Sequence, residues 1–194
     1  MGNLQLSLVE QVIRERRIVR SFSKRPISQD KLLGLLEAAV WAPYHSKQEP
    51  WRFIIFMDEG RKVFCDAVLS TYTSEELKQY GQGTTRDYCE DTPVHVCVAV
   101  RQGKDPWRNE EAILAAAALI QNLQLLAWEE RIGLVWKTNE YNRERAFATQ
   151  IGLNSDERLV GTLHLGYLPD DAVSRPVTRK PADQLITWIR HEQE

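Results

Sequence analysis

The sequence predicts an α+β domain in which helices pack against a mixed sheet, and three observations carry that expectation. Segments of helical and strand character interleave along the whole chain. The run VHVCVAV at 94–100 is continuous and β-branched, as a strand covered on both faces should be. Residues 110–131, EEAILAAAALIQNLQLLAWEER, form the strongest helical pattern: acidic at the start, Arg131 at the end, Gly133 just beyond, and apolar on nearly every face. Such a helix lies buried or lines an interface.

The remaining elements follow in order. Leu4, Leu8, Val12 and Ile13 recur at helical spacing over 4–16, and Ser28 caps a second helix that must stop before Pro43. WRFIIFM at 51–57 reads as a strand closed by Asp58, Glu59 and Gly60, and 61–72 returns to helical spacing. Residues 74–92 carry Gly81, Gly83 and only sparse apolar spacing, so they read as a mobile excursion suited to a lid. After the central strand, 101–109 is turn chemistry. LVWKT at 134–138 is a strand, 142–153 a helix capped by Asn142, LVGTLHLGY at 159–167 a strand, and 181–192 a terminal helix. No internal repeat is present.

At 194 residues the chain suits one domain and can bury a substantial core. Charged residues are 27%, hydrophobic residues 43% and the formal net charge is −2, which argues against disorder and against a polyanion-binding chain. The N-terminal stretch has no continuous apolar run, and no stretch reaches 18 apolar residues, so a cytoplasmic protein is expected. Gly2 is followed by Leu6 where a myristoylation signal wants Ser or Thr. Cys65, Cys89 and Cys97 form no C-x-x-C pair and read as ordinary thiols, Cys97 as a small core residue. The four histidines have no ligand spacing, so no metal site is expected. Dinucleotide-fold, P-loop, serine-hydrolase and zincin motifs do not occur.

Three segments carry candidate chemistry. Arg14, Arg16, Arg17, Arg20, Lys24 and Arg25 crowd into twelve positions of a slightly acidic chain. Arginine's planar fork matches phosphate oxygens, and such charge-assisted bonds are about twice as strong as neutral ones. A solvated helix end would carry the same charges without any ligand. Arg175, Arg179 and Lys180 form a second cationic group between prolines, which either joins the first on one phosphate or is a plain surface loop. Between Pro43 and Pro50 stand Tyr44, His45, Ser46, Lys47, Gln48 and Glu49, a stiffened loop of hydrogen-bonding side chains.

The order and spacing of RRIVRSF and EAAVWAPYHSKQEPWRFIIF resemble the nitroreductase family, whose signature is a basic pair, Ser, any residue and a basic residue, then Ala-Pro-Ser-x-x-Asn-x-Gln-Pro-Trp. The likeness is greatest to compact bacterial NAD(P)H nitroreductases with a shortened helical insertion, whose second motif Ala42, Pro43, His45, Pro50 and Trp51 match. GLVWKT, LVGTLHLGY and RPVTRKP extend it over nearly the whole chain. The resemblance implies a three-layer α-β-α sandwich with a mixed, mostly antiparallel sheet, and an intertwined homodimer with helix 110–131 as its main contact. It implies FMN as cofactor, with Arg16, Arg17, Arg20 and Arg179 around the phosphate and ring edge, and Ile18 contributing main chain only. Trp41 and His45 would meet the flavin from the second protomer or the opposite edge. Trp136, Lys137 and Thr138 would lie beside the isoalloxazine ring, Lys137 or a strand N–H stabilising negative charge at its N1–C2=O edge. Hydride would pass from NADH or NADPH to the flavin, and a nitroaromatic, quinone or similar acceptor would then take the nicotinamide's place, a ping-pong cycle needing no catalytic side chain. On the same fold, an oxidase or dehydrogenase of a specific metabolite and a non-catalytic flavin-binding module are the alternatives. Two departures bear on flavin tuning: Ile18 replaces the usual Ser and Glu49 the usual Gln.

Overall fold

The computed structural model describes residues 6–46, 49–172 and 177–189. The elements are α1 (Leu8–Glu15), α2 (Gln29–Ala39), β1 (Trp51–Met57), α3 (Gly60–Leu69), α4 (Ser74–Thr85), β2 (Val94–Arg101), α5 (Pro106–Glu129), β3 (Ile132–Lys137), α6 (Arg145–Gln150) and β4 (Glu157–Tyr167). The strands form one sheet in the order β1-β2-β4-β3. Its three pairings are all antiparallel among the described residues, where the sequence allowed a mixed sheet.

Alternation along β2 makes three layers. Val94, Val96, Val98 and Val100 point to one face and pack with Leu32, Leu35 and Leu36 of α2 and Leu119, Ile120 and Leu123 of α5. His95 and Cys97 point to the other face, where Phe64 of α3 and Phe147 of α6 lie. Each fully buried valine contributes about 1.5–3 kcal/mol relative to exposure. By length and composition α5 would suffice to cross a bilayer, but here it is the helix packed on the sheet, with Ala112, Ala116, Leu119 and Leu123 buried.

The structure moves several expected boundaries. Residues 74–91 are helical: α4 opens on a capping box formed by Thr73 and Glu76 and runs into a π-helical turn, Arg86–Asp91. Its apolar spacing is sparse because little of it is sheltered, Thr84 and Tyr88 being its buried residues. Asp105 caps α5 through the Trp107 N–H, so that helix starts at Pro106, inside the expected turn. At its other end Arg131, not Gly133, takes the left-handed conformation, at φ 58°. Asn142 caps no helix. It lies in a 3-10 turn, Glu140–Arg143, and donates to the Lys137 carbonyl at 3.0 Å. The expected terminal helix is reduced to a 3-10 turn, Ala182–Leu185, beyond which Ile186, Trp188 and Ile189 are exposed. Leu4 and residues 190–192 lie outside the described residues.

Two glycines fix where the arginine segment runs. Gly133 of β3 pairs with Gly166 of β4, and together they leave a notch at the sheet edge. A Cβ on Gly133 would fall 2.7 Å from Val19 Cβ, and one on Gly166 would fall 2.5 Å from Phe22 Cβ. The chain leaving α1 settles into this notch, and the Ser23 N–H donates to the Tyr167 carbonyl at 2.8 Å.

Candidate flavin site

The segment seated in the notch forms one wall of an open groove of about 1330 Å³. The opposite wall comes from the end of α5 and from residues 177–182. Seven cationic residues line it: Arg14, Arg16, Arg17, Arg20, Arg131, Arg179 and Lys180. Among the described residues no carboxylate does, in a chain whose net charge is −2, so the positive potential is a property of this place.

These cations are not equivalent. Arg14 is neutralised by Glu10, its Nε donating at 2.9 Å. Arg17 Nη1 donates to the carbonyls of Arg14 and Arg16 at 2.6 and 3.0 Å. Arg16 Nη1 is buried and has no hydrogen-bond partner. Burial first, then repulsion from Arg17 and Arg179, holds the Arg16 guanidinium below its ordinary pKa. A desolvated donor pushed by two further cations is satisfied by an anion with several acceptor oxygens, and a phosphate monoester fits.

The sequence-predicted residues divide. Arg16, Arg17, Ile18, Arg20 and Arg179 share the groove, so cations separated by most of the chain do converge. Ile18 is 62% exposed there and offers no hydroxyl. Arg175 lies outside the described residues. Trp136, Lys137, Thr138, Trp41 and His45 do not line the groove. Lys137, at the end of β3, is half-buried; its Nζ donates to Tyr88 Oη at 3.3 Å. Burial holds its pKa below the ordinary value; Asp87 opposes this and Arg20, on the groove wall, adds to it. The same strand end carries Trp136, packed over Gly161 with its Nε1 buried and unpartnered, and exposed Thr138. Trp41 is 88% exposed after α2, and His45 Nε2 lies 3.8 Å from Glu111 Oε2 on α5. Lys47 and Gln48 are outside the described residues.

Arg131 and Trp128 were missed as groove residues. In sequence Arg131 reads only as the basic end of a helix, but its positive φ ends α5 and turns the chain into β3, and its carbonyl accepts from the Leu168 N–H at 2.9 Å. Among the described residues no group of three or more His, Cys, Asp or Glu is placed to hold a metal ion.

A three-layer α+β chain with a cationic groove at its sheet edge offers an anionic ligand a complementary place. Residues 13–167 match the profile of the nitroreductase family. The Bacillus subtilis protein YfhC, whose name is that of an NAD(P)H nitroreductase, is 32% identical over 87% of this chain and 88% of its own. The crystal structure of a nitroreductase-like family protein from Bacillus cereus superposes with a TM-score of 0.90 at 35% identity, covering 98% of this chain and 100% of that one. An FMN- and NADPH-dependent nitroreductase from sphigopyxis sp. strain HMH shares the fold at TM-score 0.74 and 19% identity, over 96% of this chain and 100% of that one. This chain belongs to the nitroreductase family.

Proposed function

We propose that the chain is a cytoplasmic, homodimeric, FMN-dependent reductase that takes electrons from NADH or NADPH and passes them to nitroaromatics, quinones or similar electron-poor acceptors. The observation that carries this reading is the groove lined, among the described residues, by seven cations and no carboxylate, with a buried Arg16 donor lacking a partner. The FMN dependence of the sphigopyxis nitroreductase points the same way. Bound FMN would supply hydride uptake from the nicotinamide and its delivery to the acceptor. Arg16 and Arg179 would hold the phosphate, and Arg17 and Arg20 the chain leading to the ring. Lys137 would present its ammonium where reduction places negative charge, with Trp136 and Thr138 beside the same edge.

The dimer reading rests on apolar surface. No residue of α1 is buried, and Leu8, Val9 and Ile13 on it are exposed, as are Trp41, Trp107, Leu114, Trp188 and Ile189. A monomer seldom leaves so much apolar area uncovered. A second copy would cover α1 and the outer side of α5 and bring its own Trp41 and His45 toward the flavin.

The test is an FMN titration of the purified protein beside a riboflavin titration, followed by anaerobic addition of each nicotinamide. FMN should bind well over tenfold more tightly than riboflavin, and one nucleotide should bleach the flavin band. Equal affinity for the two flavins would remove the phosphate assignment, and a band that neither nucleotide bleaches would remove the reductase assignment.

A further inference from the structure

Behind Lys137, on the α3/α6 side of the sheet, a chain of polar groups is sealed in the core. His95 Nε2 lies 2.8 Å from the Tyr88 carbonyl, and His95 Nδ1 lies 2.7 Å from His164 Nδ1. Thr162 Oγ1 lies 3.5 Å from His164 Nε2 and 3.0 Å from Tyr141 Oη. The Tyr141 and Tyr88 hydroxyls lie close enough to perturb one another, and Tyr88 Oη accepts from Lys137 at 3.3 Å. His95 and His164 are 0% and 1% exposed.

The protons on the two imidazoles can be placed. A carbonyl only accepts, so His95 Nε2 carries a proton and, in the neutral ring, Nδ1 does not. His164 Nδ1 must then donate to it, which leaves His164 Nε2 as an acceptor for the Thr162 hydroxyl. The Thr162 hydroxyl also reaches the Lys137 carbonyl at 3.5 Å and shares with Tyr141 a hydrogen bond in which either oxygen can donate, and the Tyr88 oxygen accepts from Lys137. His164 thus donates to His95, and His95 to the Tyr88 carbonyl. Both imidazoles are held neutral, mainly by burial, as this order requires.

We propose that Tyr88 is a positioning residue for Lys137: its phenol oxygen, fixed by the buried Tyr141–Thr162–His164–His95 chain, holds the lysine ammonium at the flavin edge of the site. The inference rests on the FMN reading above. A lysine stem has four rotatable carbons, and an ammonium on it is a mobile point charge unless something fixes it. Tyr88 is itself fixed by rings, stacked on His164 at 5.2 Å and 22° and set edge-on to Phe64 at 5.3 Å and 85°. It stands in the π-helical turn, a feature that recurs at functional sites.

The experiment reads the two-electron midpoint potential of bound FMN in Tyr88→Phe, Lys137→Met and the double variant. Tyr88→Phe keeps the stacked ring and removes the acceptor. Reduced FMN should then bind about tenfold more weakly relative to oxidised FMN, a fall of about 30 mV in potential. Lys137→Met should lower it at least as far, and adding Tyr88→Phe to it should change nothing more. Tyr141→Phe, which removes the group that orients the phenol, should shift the potential the same way by less, and it serves if Tyr88→Phe does not fold. An unchanged potential in wild-type-like folded Tyr88→Phe, or a shift that persists in full on the Lys137→Met background, overturns the inference while leaving the flavin reading intact. A wild-type protein that takes up no FMN overturns the flavin reading, and this inference with it.

Discussion

Replacing Arg16 by Ala should separate ligand binding from folding. The guanidinium has a buried Nη1 with no protein partner and is repelled by Arg17 and Arg179, so removing it costs the fold no hydrogen bond at that atom. The apo thermal midpoint should stay the same or rise. On the proposed reading FMN would bring a phosphate oxygen to this nitrogen, and a hydrogen bond to a charged group contributes about 1.5–3 kcal/mol. The variant should therefore bind FMN roughly 10- to 150-fold more weakly, since each 1.4 kcal/mol is about tenfold. Flavin fluorescence titration measures it, with riboflavin as the control because it lacks the phosphate. Riboflavin affinity should change by less than about twofold. Equal losses for FMN and riboflavin, or an apo protein that melts well below wild type, would refute the assignment of Arg16 to the phosphate.

Further outcomes follow from the same geometry. Arg20→Ala should weaken FMN retention more than Arg14→Ala, because Arg14 is already tied to Glu10 at the surface; equal retention on a desalting column would count against the groove assignment. Gly133→Ala places a methyl 2.7 Å from Val19 Cβ and should cost about 1–3 kcal/mol in urea unfolding, with weaker FMN binding as the arginine segment lifts. Stability should fall on acidification. Burial keeps His95 at about 3 and His164 well below its ordinary value, so only the unfolded chain takes up protons below about pH 6.5, and stability present above that value is lost as pH drops toward the folded values. From about pH 7.5 to about pH 5.5 each histidine should remove about 1.4 kcal/mol, and an unfolding free energy flat across that range would contradict the buried neutral pair.

Elements whose burial is complete were legible in the sequence. VHVCVAV reads as a covered strand because both its faces are in fact covered, and the middle of α5 reads as a helix because two layers of the core depend on it. The cationic half of the site was legible as composition, since arginines in two distant segments stand out in an acidic chain. What failed depended on tertiary contacts. The capping box at Thr73 and Glu76 announces α4, but sparse apolar spacing and two glycines hid the helix behind it. Arg131 joins the groove only because its backbone adopts φ 58° between α5 and β3, which no periodicity records. Leu185, Ile186 and Trp188 suggest a helical face, yet all three are exposed.

The two sides of β2 are buried in unlike materials, hydrocarbon beneath and hydrogen-bonding imidazole above. Many buried strands tolerate sliding because either face would find grease. Here a shift by one position would press His95 into the aliphatic layer and strand a valine among Thr162, His164 and the Tyr88 carbonyl, penalising both surfaces at once. The pairing of this strand is thus locked by chemical contrast, and the scaffold beneath the arginines has a single alignment available to it.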